Sequence, residues 1–375
     1  MMIETVTGPV NTAELGAVLS HEHVFTLDRS FAFAFPDWFD AEEGLSRFAA
    51  NIAKLKPLGL GTIIDATAIN LGRDIRLIRR ASELAGIHII ATTGLYYQEA
   101  PGIVYGAEPD FLAKYFIREL TEGIQGTDIK AGVVKCSTDL PYGVDLPNEC
   151  MIRAAARASV ATGAPVITHA NAGAKHGLRQ QELLKEEGVP LHRVAIGHAF
   201  SSGDVEYVAD LARAGSYVGC DQVGFEDLVS SPRLAEMIAR LCEMGLEDHI
   251  LLSHDQATVS DFGFAFASIC RDFEHNPMIG DYSKVFTLMP GLLQQQGVTQ
   301  AQIDKVLAQV RAYEFPPAPE GGGWAYGCDA DFLRELCVYW AGGFDVEVEA
   351  LNADPTPVVN VTVPQIIARY EEAIK

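Results

Sequence analysis

Four histidines, a lysine and an aspartate each stand at the polar end of a short apolar run. His21 and His23 lie in AVLSHEHVF, Lys135 in AGVVKCS, His169 in PVITHAN, His198 in VAIGHAF and Asp255 in ILLSHDQ. Imidazole nitrogens and carboxylate oxygens are donors that a divalent metal takes. His21 and His23 are two residues apart, so on an extended strand both side chains point to one face and can grip one ion. An HxH alone is common; it is the company of the other ligands at strand ends that gives it weight. Lysine is seldom fully buried unless paired, yet Lys135 ends an otherwise apolar run. A desolvated lysine amine has a lowered pKa, becomes nucleophilic and takes up carbon dioxide as a carbamate, whose two oxygens can bridge two divalent cations. That anion balances charge that four neutral imidazoles cannot. The chemistry these residues suit is two-metal hydrolysis. His254, beside Asp255, falls on the opposite strand face and is read as a barrel-wall residue.

Residues delivered this way need a sheet that presents all its strand ends on one rim. Short, continuous apolar runs read as strands buried on both faces. Three more such runs, GTIIDATA, IHIIATTGLY and SYVGCDQV, bring the number to eight and make the ligand-bearing strands numbers 1, 4, 5, 6 and 8. Helical periodicity fills the intervals. RDIRLIRRASELAG is expected to place Ile75, Ile78 and Leu84 near one face, PNECMIRAAARASVATG to repeat Ile152, Ala155, Ala156 and Val160, and DVEYVADLARAG to follow suit. Strands alternating with helices imply parallel pairing through crossovers. Eight units over roughly 300 residues fit a closed (β/α)8 TIM barrel, with its active site at the carboxyl ends of the strands. The barrel is expected over residues 1–315, ending in a helix at VTQAQIDKVLAQVRAYEF, where Thr299 and Gln302 match a capping box. FPPAPEGGGW then breaks regular structure. Residues 316–375 are expected to form a C-terminal α+β extension of helix, hairpin and helix.

Composition narrows the partners. A net charge of -22 over 375 residues repels a phosphate backbone, so neither nucleic acid nor an anionic membrane is expected as a partner. No apolar stretch approaches the roughly 20 residues that span a bilayer, and MMIETVTGPVNTAELG lacks the pattern of a secretory signal. Seven cysteines without a CxxC pair read as reduced thiols. The expectation is a cytoplasmic enzyme acting on a small molecule.

Together HEHVF, GVVK, ITHANAG, AIGH and LLSHD resemble, in order and approximate spacing, the five ligand motifs of the phosphotriesterase-like branch of the amidohydrolase superfamily, over about residues 4–310. The resemblance implies a binuclear site. His21, His23 and Asp255 would hold a buried metal, His169 and His198 an exposed one, and carboxylated Lys135 would bridge both. The mechanism this implies has a bridging hydroxide as nucleophile, the more exposed ion polarising a carbonyl or phosphoryl oxygen, and Asp255 accepting the proton and passing it to a neighbouring histidine. Zinc is the first expectation, and manganese, cobalt and iron suit the same donors. Tyr96, in ATTGLYY, resembles the tyrosine that lactone-hydrolysing relatives place beside the centre, which implies a catalytic or substrate contact. Gln222, in GCDQVGFE, stands where many lactonase and phosphotriesterase relatives carry arginine, and loss of that guanidinium argues against an anionic substrate. If an anion were nonetheless bound, Lys175 or Arg179 would be the candidates to hold it. Phe31 and Trp38, in FAFAFPDWF, offer apolar area for a substrate entrance or a homodimer contact. Relatives usually carry Asn-Pro near the final helix, where this chain has Gln309-Val310, the mark of a divergent subgroup. The expected reaction is hydrolysis of a neutral lactone or carboxylic ester. Alternatives are an amidase, a phosphotriesterase and a non-catalytic metal-binding protein. A cysteine hydrolase using Cys136 or Cys220 has no nucleophile motif behind it, and no GxSxG offers a serine.

Overall fold

The structure, a computed structural model, describes residues 2–97, 104–261, 280 and 282–308. An antiparallel hairpin comes first, β1 (Met2–Thr5) with β2 (Gly8–Asn11). The parallel strands follow: β3 (Ala17–Thr26), β4 (Leu60–Asp65), β5 (His88–Gly94), β6 (Val133–Thr138), β7 (Val166–Ala170), β8 (Val194–Ile196), β9 (Tyr217–Cys220), β10 (Ile250–Leu252) and β11 (Ala257–Ser260). Their spatial order is β10-β9-β8-β7-β6-β5-β4-β3-β11. The last two segments are halves of one eighth strand, since β10 pairs with β9 and β11 pairs with β3. Across the break, His21 N donates to Ser253 Oγ (3.0 Å), Asp255 N to His21 O (3.1 Å) and His23 N to Gln256 O (2.9 Å). These bonds close the ring, and the (β/α)8 TIM barrel expected from the alternation of runs is the observed fold.

Apolar side chains divide between two regions. Inside the barrel, Leu15, Val18, Ile64, Ile90, Val133, Ile167, Ala195 and Leu251 form a floor, into which Ile3 of the hairpin packs from below. The sequence reading missed this hairpin, because two four-residue strands carry too little alternation to stand out. A larger core lies between the strands and the surrounding helices. Strands buried on both faces result, as every residue of β6 illustrates, so side chains beyond the floor at the carboxyl ends have only the site to face.

The helices are phased by the same core. In the helix Ile75–Ala85, Ile75, Ile78, Ala81, Ser82 and Ala85 are buried, whereas Leu84, expected with them, is 58% exposed. Nine residues after Ile75, at about 100° per residue, it stands on the opposite side. Val160 is likewise exposed, beyond the buried stripe of Ala154, Ala155, Ala158 and Ser159. The expected capping box is formed: Gln302 N donates to Thr299 Oγ1 (3.3 Å) and Thr299 N to Gln302 Oε1 (3.1 Å), at the head of the helix Gln300–Ala308. The chain divides into two units, Met1–Ala318 and Pro319–Lys375. The extension expected over residues 316–375 and the Gln309-Val310 pair lie outside the described residues. Among the described residues no helix is long and apolar enough to cross a membrane.

Candidate metal centre

All six residues singled out by sequence meet at the carboxyl rim. Asp255 Oδ1 lies 3.3 Å from His23 Nε2 and 3.7 Å from His21 Nε2, and Asp255 Oδ2 lies 3.8 Å from His198 Nε2. His198 Nε2 is 2.8 Å from His169 Nδ1. Lys135, 1% exposed, brings Nζ to 2.9 Å from His21 Nε2. Burial lowers its pKa to about 8, against the pull of Asp255 and Asp221 in the other direction.

The backbone is bent to make this possible. His198 (φ 59°) and Asp255 (φ 55°) both adopt the left-handed region, which most side chains avoid and which marks positions overdetermined by their surroundings. Gly94, at φ 101°, lets strand β5 end against Lys135: a Cβ there would meet Lys135 O at 1.9 Å. Tyr96 follows, its ring centre 5.8 Å from Lys135 Nζ and 4.9 Å from the His169 ring.

Each imidazole is held by its second nitrogen. His23 Nδ1 donates to Thr67 Oγ1 (2.8 Å), whose own proton goes to Phe25 O. His169 Nε2 donates to Asp139 Oδ2 (2.8 Å), His198 Nδ1 to Asp221 Oδ1 (3.0 Å), and His21 Nδ1 lies 3.3 Å from Asp221 Oδ2. Burial would raise both carboxyls, but His198 and His21 outweigh it at Asp221 and His169 does so at Asp139, so both are held well below the usual carboxylate range. Carboxylates only accept, so the protons of these rings are committed outward and the inward nitrogens are bare. Burial, with the positive charge of Lys135, lowers His21 to about 3. Burial, with His198, lowers His169 to about 4. Burial lowers His198, but Asp221 and Asp255 outweigh it and raise its pKa. Imidazole nitrogens that converge, one pair of them 2.8 Å apart, fit a cation between them, and carboxylate-buttressed histidine is the usual arrangement around a bound metal. His21, His23 and Asp255 form one group compact enough to hold an ion; His21, His198 and Asp221 form another. In the second group Asp221 lies at the outward nitrogens, the place of a buttress, whereas the first group has its donors converging from the inner side.

Several supporting residues were missed by sequence reasoning. Asp221 sits inside VGCDQ, Asp139 follows Lys135 by four, and Thr67 follows strand β4. Glu22, between the two histidines, is fully buried and accepts from Ser253 Oγ (2.7 Å), His254 N (2.8 Å), His254 Nδ1 (2.8 Å) and Gln256 N (3.0 Å). It clamps the break in the eighth strand from outside. His254 is a wall residue: its Nε2 accepts from Val285 N (3.0 Å).

Gln222 reaches the site, with its amide committed. Nε2 donates to Asp255 Oδ2 (3.0 Å) and Oε1 accepts from Ser201 Oγ (2.6 Å). Histidines neighbour the same carboxylate, His23 Nε2 at 3.3 Å from Oδ1 and His198 Nε2 at 3.8 Å from Oδ2. Phe31 packs against Trp38 with ring centres 5.0 Å apart and planes tilted by 45°, and Trp38 Nε1 donates to Asp261 Oδ2 (2.6 Å). Trp38 lines a separate cavity of about 170 Å3 with Phe39, Arg47, Val259 and Asp261, to which none of the six ligands contributes. Lys175 pairs with Asp204 (2.7 Å) and Arg179 with Glu182 (3.1 Å). Cys136 and Cys220 are buried, and burial pushes Cys136 up to about 12 and Cys220 well above its usual value, the reverse of an activated thiolate.

Known proteins are similar to this chain in sequence and in fold. A model of the phosphotriesterase family matches residues 1–312. The phosphotriesterase homology protein of Mycobacterium tuberculosis is 40% identical over 268 residues, 69% of this chain and 82% of that protein. The aryldialkylphosphatase of Saccharolobus solfataricus is 35% identical over 257 residues, 68% of this chain and 82% of that protein. The solved structure of the phosphotriesterase from M. tuberculosis superposes with a TM-score of 0.76 at 34% identity, covering 84% of this chain and 99% of its own. With a family match over most of its length and relatives well above 30% identity, this chain belongs to the phosphotriesterase family of the amidohydrolase superfamily.

Proposed function

We propose that the protein is a metal-dependent hydrolase of neutral lactones or carboxylic esters, with zinc at a binuclear centre bridged by a carbamate on Lys135. The observation that carries this reading is the convergence of four imidazole nitrogens and Asp255 around a buried lysine amine. His21, His23 and Asp255 would hold the inner ion, His169 and His198 the outer one. Lys135 has the chemistry for the bridge: its amine meets a neutral imidazole at 2.9 Å, and its pKa of about 8 leaves a reactive fraction of free amine near neutrality. When bound, two such ions supply a water ionised at neutral pH and polarise the substrate's acyl or phosphoryl oxygen.

The chain's own residues supply the rest. Asp255 Oδ2, 3.8 Å from His198 Nε2, would take the proton released as water attacks, and Gln222 holds that oxygen in place. Tyr96 caps the site with its ring and keeps its phenol proton, because burial raises its pKa well above the usual value. A hydroxyl in that state donates to a carbonyl or leaving-group oxygen. Preference for a neutral substrate is supported by what surrounds the site: Gln222 in place of a cation, Lys175 and Arg179 both paired, and a chain charge of -22.

A phosphotriester is also neutral and presents a polarisable oxygen, and the S. solfataricus relative carries the name aryldialkylphosphatase, which keeps phosphotriester hydrolysis as the second reading. The test is a screen of zinc-replete protein across lactones, aryl esters, N-acyl amides and phosphotriesters. Highest kcat/KM on a neutral lactone or ester is expected. Highest kcat/KM on a phosphotriester or an amide would transfer the assignment to that class.

A further inference from the structure

The outer pair of histidines differs from the inner pair in how it is supported. His198 is held by buried Asp221, which also accepts from its backbone N–H (2.8 Å). His169 depends on Asp139, a residue of the loop that leaves strand β6 four positions after Lys135. Both oxygens of that carboxylate are occupied. Oδ2 accepts from His169 Nε2 (2.8 Å), while Oδ1 accepts from Leu140 N (2.7 Å) and from Asn171 Nδ2 (2.5 Å). Asn171 is fixed in turn, since its Oδ1 accepts from Ala174 N (2.8 Å) and its backbone N–H donates to Thr138 O (3.0 Å). The two ligand segments, Lys135 to Asp139 and His169 to Asn171, thus brace each other across neighbouring strands β6 and β7.

We propose that Asp139 is the positioning residue of the outer metal site: it fixes His169 as the Nε2-protonated tautomer and so aims the bare Nδ1 at the point shared with His198 Nε2. Without that acceptor the ring is free to carry its proton on Nδ1, where it would stand between the two nitrogens and exclude a cation. The carboxylate is needed because it is acceptor-only, and His169, Leu140 N, Asn171 and the Tyr97 phenol all converge on it as donors. Asparagine offers one acceptor oxygen, so its amide must be turned either towards His169, which reverses the tautomer, or towards Leu140 N and Asn171 Nδ2, donor against donor. Second-neighbour groups of this kind typically change metal affinity by roughly 10–100-fold. The proposal rests on the metal-hydrolase reading above, and its test separates the two.

Metal-stripped protein with 15N-labelled histidines, supplied with bicarbonate, is titrated with zinc against a chromophoric chelator. Wild type is expected to take two equivalents. Asp139→Asn and Asp139→Ala are expected to bind the second equivalent roughly 10–100-fold more weakly and the first unchanged. Asp139→Asn combined with Asn171→Asp returns a carboxylate to face the amide of residue 139, frees the residue 139 oxygen for His169, and is expected to recover most of the lost affinity. Before zinc is added, the His169 resonances, assigned by their loss in His169→Gln, should report an Nε2 proton in wild type and in the double variant, and an Nδ1 proton or a mixture in the single variants. Unchanged second-site affinity and an unchanged tautomer in both single variants would overturn the proposal. If wild type takes fewer than two equivalents, the metal-hydrolase reading fails, while the tautomer comparison in metal-free protein still decides the role of Asp139.

Discussion

Replacing Lys135 by methionine in metal-stripped, bicarbonate-free protein should make the fold more stable while removing its metal site. In the folded protein burial lowers the amine from 10.5 to about 8, which corresponds to roughly 3 kcal/mol of unfavourable energy for the buried ammonium. Methionine has similar length and no charge, but leaves His21 Nε2 without its 2.9 Å neighbour, a loss of about 1 kcal/mol. The net expectation is a gain of about 2 kcal/mol near neutral pH, read as the denaturant midpoint at pH 7 with the slope unchanged. The pH dependence fixes the cause. Because the folded pKa lies below the unfolded one, the unfolded chain holds the extra proton between about 8 and 10.5, so wild-type stability rises with pH across that window. The methionine variant lacks this component, so its advantage is complete below about 8 and shrinks towards pH 10. A variant less stable than wild type at pH 7, or an advantage that stays constant from pH 8 to 10, would refute the argument that Lys135 is held as a strained amine.

Four further outcomes are expected. Asp255→Asn keeps the shape and one coordinating oxygen but takes no proton, so kcat should fall by more than about 100-fold at unchanged metal content; near-normal turnover would reduce Asp255 to a ligand. Gln222→Ala removes a hydrogen bond to a carboxylate, worth about 1.5 kcal/mol, and should lower kcat about tenfold. Gln222→Arg retains a donor to Asp255 and should narrow the preference for neutral over phosphorylated lactones; a wild-type preference for the phosphorylated ones would show that the site carries another anion-binding group. Glu22→Gln places an amide against four donors at a fully buried position, and should lower unfolding free energy by about 3 kcal/mol in the denaturant assay.

What could be read from the sequence and what could not divide along physical lines. Parallel barrel strands are buried on both faces, so each appears as an apolar run and its polar terminus stands out; His21, His23, Lys135, His169, His198 and Asp255 all show that signature. Supporting groups carry no such mark, because their partners come from other strands. Glu22, between His21 and His23, falls on the opposite face of its strand, and only barrel closure brings it to Ser253, 231 residues away. Asp139 and Asp221 are unremarked acids until the fold supplies His169, His198 and His21. The broken eighth strand was equally hidden: ILLSHDQATVS has no proline or glycine to signal a break, and the bend is imposed by Glu22 and by the left-handed conformation of Asp255. Leu84 and Val160 failed for the opposite reason, since apolar residues are common on helix surfaces and burial follows phase rather than hydrophobicity.

The central claim is most directly tested by elemental analysis of protein purified without chelator, run on the same preparation as the hydrolysis screen. The account predicts two divalent ions per protomer, loss of hydrolysis when both are removed, and its return when zinc and bicarbonate are restored. Full activity with one ion or none would contradict it.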